Sequence, residues 1–232
     1  MLSSASSLRD LRKASGWSQL EAARHLHVSQ PYLSLLESGD RPLTPQLRRR
    51  LLRALKLPPT FLPLPVSLDD WPAFTNEAFV RHLSALGYPP FGYVEPHRRP
   101  ENPAALFLWA VNASDLEARL AEGLPWILLT YEDLDLGWLV REAKLRDLQN
   151  RLGYLTYLAR AVALKTPRFA HRAQGLTTLL KTLESSRLAR EETLFEKPLT
   201  PRARAAVCAL RTPEAAHWNL LTLWKPEHLS YD

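Results

Sequence analysis

The run Ser18 to Gly39, SQLEAARHLHVSQPYLSLLESG, constrains this chain more than any other stretch. It contains two short helical patterns, each opened by a serine. Ser18 sits three residues before Glu21, the spacing of a capping box. Ser29 precedes Gln30 and Pro31, and a proline is tolerated in a first helical turn because its missing N–H has no helical partner there. Ala22, Ala23 and Leu26 form one apolar face, and Leu33 and Leu36 form another. The paired alanines allow two helices to cross closely. Gly39 closes the second pattern. Only three or four residues separate the two, which makes them two short helices joined by a tight turn.

Flanking patterns extend the unit. A first helix is predicted from about Ala5 to Ala14, ended by Gly16, and a fourth from a Thr44 cap to about Leu55. In the fourth, Leu47, Leu51, Leu52 and Leu55 face inward, while Arg48, Arg49, Arg50 and Arg53 point largely outward. Charge follows the same boundary. The chain carries a formal +6, and residues 1–57 alone hold ten basic and four acidic residues, which is also +6. Residues 58–232 are neutral. A basic patch confined to one segment is the footprint of a polyanion binder, and two helices joined by a tight turn are a layout that enters the DNA major groove.

At Ser18-Gln19, Ala23, Val28-Ser29, Leu33-Ser34, Glu37, Gly39 and Arg41 the segment resembles the Xre/Cro/phage-repressor family of helix-turn-helix domains, over about residues 5–57. The resemblance implies a domain of four to five helices that binds double-stranded DNA, as a homodimer on a palindromic operator. It also implies a structural ion pair between Arg12 and Glu37, and a Gln19 that braces the DNA backbone. Gln30 and Tyr32 then lie on the first turn of the reading helix, where Gln can pair with adenine and Tyr can donate to a phosphate or base edge. Ser29 opens a helix whose free N–H groups favour phosphate, and Ser34 and Arg41 are phosphate contacts. Leu35 reads equally as a thymine-methyl contact or as a contact at an interface. Three residues depart from the family pattern: His27 stands where the turn usually has Gly, and Pro31 and Leu35 replace polar readers. Base readout should therefore be sparse, with DNA shape contributing more.

Beyond this unit the expectation is all-α throughout. Residues 58–72, with five prolines, read as a Pro-rich linker or a short packed connection, and 73–232 as a mostly helical domain for oligomerisation or partner binding. Its strongest pattern runs from Leu134 to Leu164, where Leu145, Leu148, Leu152, Leu155, Ala159 and Val162 recur every three or four residues. That is a coiled-coil-like seam of fewer than three heptads. It reads as a dimer or partner interface through Leu145, Leu148, Leu152 and Leu155, or as a buried bundle helix. Ser114 or Asp115 is expected to cap a helix to about Leu124, and Phe169–Arg190 and Thr200–Leu210 read as further amphipathic helices. Trp71, Phe74, Phe79, Phe91, Trp109 and Trp126 read as core in preference to a ligand pocket.

No HExxH, GxSxG or phosphate-cradling glycine loop occurs. Asp133, Asp135, Glu142 and Asp147 lie among Arg141, Lys144 and Arg146 and read as solvated helix faces. Cys208, the one cysteine, reads as a buried small hydrophobe. No enzyme, metal or cofactor is expected. The longest apolar runs, Ala104–Val111 and Pro125–Leu129, are too short to span a bilayer, so a cytoplasmic protein is expected. Repression of its own operon is the expected role. Neutralisation of a co-transcribed toxin by the C-terminal helices is a further role the resemblance allows, and a small-molecule-responsive repressor is the alternative.

Overall fold

The computed structural model describes residues 8–55, 57–65, 67–97, 101–195 and 199–231. Ala5–Ser7, where the first helix was expected to begin, lie outside them. The chain divides into two compact units, Met1–Val66 and Ser67–Asp232. The division falls inside the Pro-rich stretch, which is more than a tether: it forms 3₁₀ turns at Pro59–Phe61 and Leu68–Asp70, and Leu62 and Leu68 are buried.

The first unit holds α1 (Leu8–Ala14), α2 (Gln19–Leu26), α3 (Gln30–Ser38) and α4 (Pro45–Leu55). Ala22, Ala23, Leu26, Leu33 and Leu51 form its core, packed round by Leu8, Leu11, Trp17, Val28, Leu43 and Leu55.

The second unit is also helical. Its members are α5 (Asn76–Ala85), α6 (Pro103–Val111), α7 (Ala118–Ala121), α8 (Gly123–Thr130), α9 (Leu136–Leu145), α10 (Gln149–Lys165), α11 (Ala173–Glu184), α12 (Pro201–Leu210) and α13 (Pro213–His217). Two-residue strands, β1 (Glu192–Thr193) and β2 (Leu220–Leu221), pair in parallel. Helix α10 is the central post, against which α8, α9, α11 and α13 pack. Every residue of α6 is buried, and in α8 only Thr130 is not. Helices apolar on all sides belong inside a core. The aromatic residues pack together as well, with Trp71 and Phe74 half-buried: Trp109 meets Trp71, Phe74 and Phe79, and Trp126 meets Tyr88 and Tyr131, all in tilted or edge-on contact.

The prolines have a repeated use. In Thr44-Pro45, Asn102-Pro103, Thr200-Pro201 and Thr212-Pro213 a capping side chain is followed by a helix-opening proline. The cap oxygen accepts one free N–H, and the proline lacks one of the others, so fewer donors at the helix start are left unsatisfied.

Four expectations are corrected here. The predicted seam does not form one helix. Asp147 adopts φ 56°, and the Leu148 amide folds back to the Ala143 carbonyl at 2.8 Å, which ends α9 and restarts the chain as α10. Asp tolerates this left-handed conformation. Leu148, Leu152 and Leu155 are consequently buried in the unit's own core and cannot form a partner interface, whereas Leu145 is 71% exposed at the end of α9. Neither Ser114 nor Asp115 caps a helix. Asn76, far away in sequence, bridges that break instead, accepting from the Glu117 amide at 3.0 Å and donating to the Asp115 carbonyl at 3.1 Å. The stretch 169–190 holds a 3₁₀ segment to Arg172 and then α11, which stops at Glu184. The Arg172 guanidinium is drawn inward to the carbonyls of Leu128 and Tyr131, each at 3.0 Å. Finally, Cys208 is exposed, because no residue of α12 is buried.

Candidate nucleic-acid interface

The site is built from α1 and the two capped helices α2 and α3. Ser18 accepts from the Glu21 amide at 3.2 Å, and the Glu21 carboxylate accepts from the Ser18 amide at 2.7 Å, so the capping box closes in both directions. His27 ends α2 with φ 54° and ψ 48°, in the left-handed region that Gly adopts without strain. Ser29 accepts from the Tyr32 amide at 3.3 Å and opens α3. Gly39 ends α3 at φ 86°, where a residue with a side chain would be strained.

One carboxylate ties these helices together. Glu37, on the buried side of α3, has a side chain with no exposure to solvent. The Arg12 guanidinium of α1 donates to it from Nε at 2.5 Å and from Nη2 at 3.2 Å, the paired geometry that suits Arg and carboxylate. Arg12 also donates to the Trp17 carbonyl at 2.8 Å. Gln19, at the start of α2, donates to Glu37 at 3.0 Å, and Arg9 lies 3.6 Å away. Burial pushes the Glu37 carboxyl up, but the hydrogen bonds from Arg12 and Gln19 and the charges of Arg12 and Arg9 outweigh it, so its pKa falls below the ordinary value. Helix α3 is thus fixed against α1 and α2 by one buried acid. In this arrangement the Gln19 amide is spent inside the unit.

The outward face of α3 follows from its buried one. Leu33, Leu36 and Glu37 face inward, and Gln30, Pro31, Ser34, Leu35 and Ser38 are exposed. At roughly 100° per residue, Pro31, Leu35 and Ser38 stand at the middle of that face. Gln30 and Tyr32 lie about 200° apart, on its opposite flanks, and Tyr32 is half-buried. Arg41, just beyond α3, and Arg24 on α2 are exposed.

The arginines of α4 divide. Arg53 is exposed, whereas Arg48, Arg49 and Arg50 are half-buried rather than outward as predicted. Arg50 donates to the Leu26 carbonyl at 3.1 Å, at the end of α2, and Arg48 reaches the Phe61 carbonyl at 3.5 Å. They close helix ends and turns, as cations near helix C-termini commonly do. Sequence reasoning also missed the Trp17–His25 stack, with ring centroids 4.2 Å apart, because the two residues sit on different elements.

Among the described residues no group of His, Cys, Asp and Glu could hold a metal ion, and no helix is long and apolar enough to cross a membrane. Comparison with known proteins finds no matching curated protein and no matching solved structure. One family model does match, over residues 5–62, and it is described as a helix-turn-helix domain. That range takes in the four helices, the Glu37 cluster and the exposed face of α3, so the N-terminal quarter of this chain is a helix-turn-helix unit of the kind that binds DNA.

Proposed function

We propose that this protein is a sequence-specific transcriptional regulator of the Xre/Cro type that represses by occupying an operator, its own promoter included. The observation that carries this reading is the coincidence of the chain's whole net positive charge with a capped helix-turn-helix whose reading helix keeps one face free. Phosphate contacts come from Arg41, the helix N-termini behind Ser18 and Ser29, and Ser34, and they set register. Base readout falls to Gln30, Tyr32 and the middle of the α3 face. Such a unit acts on inverted repeats as a homodimer, with half-sites about one helical turn apart.

The second unit contributes the contact to another copy of the chain or to the product of a neighbouring gene. With Leu148, Leu152 and Leu155 buried, that contact uses other residues than these three, and Leu145 alone of the predicted set stays exposed. The test is a duplex selection from a random pool with the full chain, followed by a reporter driven by the selected sequence. Enrichment of one inverted repeat and silencing of the reporter support the proposal. Enrichment of no sequence overturns it. Co-expression with each neighbouring gene product shows whether a toxin is neutralised or repression stands alone.

A further inference from the structure

The face of α3 that a DNA groove would meet is unusual in its chemistry. Its exposed residues, Gln30, Pro31, Ser34, Leu35 and Ser38, include no cation and no acid. Its middle is apolar. Pro31 and Leu35 are one helical turn apart, about 40° from each other around the axis, and Leu35 keeps 41% of its surface exposed. Ser34 and Ser38 border the pair with short side chains, and the Ser38 hydroxyl is held by the Asp40 carboxylate and the Leu35 carbonyl. A scattered exposed leucine needs no explanation. This pair, however, sits where a recognition helix puts its base-reading residues, on the segment that carries the chain's positive charge. The major-groove edge offers one apolar feature, the C5-methyl group of thymine.

Resting on the DNA-binding reading above, we infer that Pro31 and Leu35 form an apolar reader for thymine C5-methyl groups, and that this pair adds a thymine specificity to the readout by the flanking Gln30 and Tyr32. The two side chains close over one or two thymine methyls in each half-site. The specificity is therefore for T over C at those positions, and it is gained by excluding water and not by pairing hydrogen bonds. Phosphate affinity stays with Arg41 and the helix N-termini.

The test uses duplexes selected from a random pool by the full chain, with each thymine replaced singly by deoxyuridine, which removes the methyl and leaves the Watson–Crick edge intact. Burying one methyl is worth about 0.8 kcal/mol, which is about four-fold in affinity. The expected result is a loss of about four-fold at one or two positions per half-site and less than two-fold elsewhere. In Leu35→Ala the loss at those positions should disappear, the variant binding thymine and uracil duplexes alike. Leu35→Met, which keeps an apolar side chain, should retain a penalty. Because Leu35 is exposed and outside the unit's core, both variants keep the helical circular dichroism of the parent. Uniform tolerance of uracil overturns the inference and leaves DNA binding standing, and so does a penalty undiminished in Leu35→Ala and Pro31→Ala. A change in the oligomeric state of Leu35→Ala with its thymine preference intact assigns Leu35 to an interface and overturns it as well. Failure to enrich any duplex overturns both readings together.

Discussion

Glu37 accepts from side chains on α1 and α2 while its own side chain is closed to solvent. Glu37→Gln leaves the Arg12 guanidinium facing an amide in a half-buried place. The expected cost is about 2–3 kcal/mol, since removing one partner of a buried pair strands the other, and chemical denaturation of the full chain measures it. The sign with pH is fixed by the lowered pKa. The cluster's stabilisation is complete above the unfolded-state value of about 4.3 and fades as pH falls through the lower folded value. His27 gives the opposite kind of prediction. It holds φ 54°, so His27→Gly should stabilise the unit by about 1 kcal/mol, read as a higher denaturation midpoint. His82 in the second unit lies under Trp109 and against His97, ring centroids 4.1 Å from the latter. Burial first, and His97 second, hold its pKa down at about 4. Between about pH 6.5 and 4 the unfolded chain binds the proton more readily, so stability drops as pH falls through that window. Near-UV circular dichroism of the aromatic cluster should show an earlier thermal transition at pH 5 than at pH 7.5, and His82→Leu should flatten the difference.

At the scale of the element, helix α10 depends on one missing side chain. A Cβ at Gly153 would overlap the ring of Trp218, which is itself buried. Gly153→Ala must move either the helix or the ring, and a loss of about 2–3 kcal/mol is expected, checked by hydrogen exchange of the α10 amides. The first unit's elements were legible in the sequence because their signals are local. Ser18 to Glu21, Ser29 to Pro31, and Gly39 each act within a few residues, and the structure uses all of them as caps. The second unit was less legible because its element ends are decided at long range. Asn76 bridges the break before α7 from another helix, Asp147 turns the chain where the heptad spacing continues unbroken, and Arg172 leaves an amphipathic pattern to close α8. Spacing reports which residues want burial, and it showed Leu148, Leu152 and Leu155 correctly as apolar-face residues. It does not report whether the chain's own core or a partner buries them. The exposure of Cys208 follows the same logic: an Ala-rich helix looks like a core helix until the core turns out to be filled by α6, α8 and α10.

For the whole molecule, charge and function are divided between two units of very different size. All of the net positive charge lies in residues 1–57, so the salt dependence of DNA binding should be set there. Arg202, exposed on α12 of the second unit, is a useful contrast, and Arg202→Gln should leave duplex affinity within about two-fold of the parent. The candidate site itself was legible in part. The Arg12–Glu37 pair was implied by the family resemblance, and the exposure of Gln30, Ser34 and Arg41 followed from their places on and just beyond α3. Tyr32 on the flank of α3 and Gln19 turned inward did not, because both depend on how α1, α2 and α3 meet around Glu37.

The most direct test of the DNA-binding account is the salt-dependent affinity of the full chain for the selected duplex and for a scrambled one, with Gln30→Ala and Arg41→Gln alongside. The parent should prefer the selected duplex by about a thousand-fold or more. Gln30→Ala should narrow that preference with the salt slope unchanged, and Arg41→Gln should weaken both duplexes and lower the slope by about one. Equal binding of the parent to the two duplexes, or no effect of either substitution, would contradict the placement of α3 in the major groove.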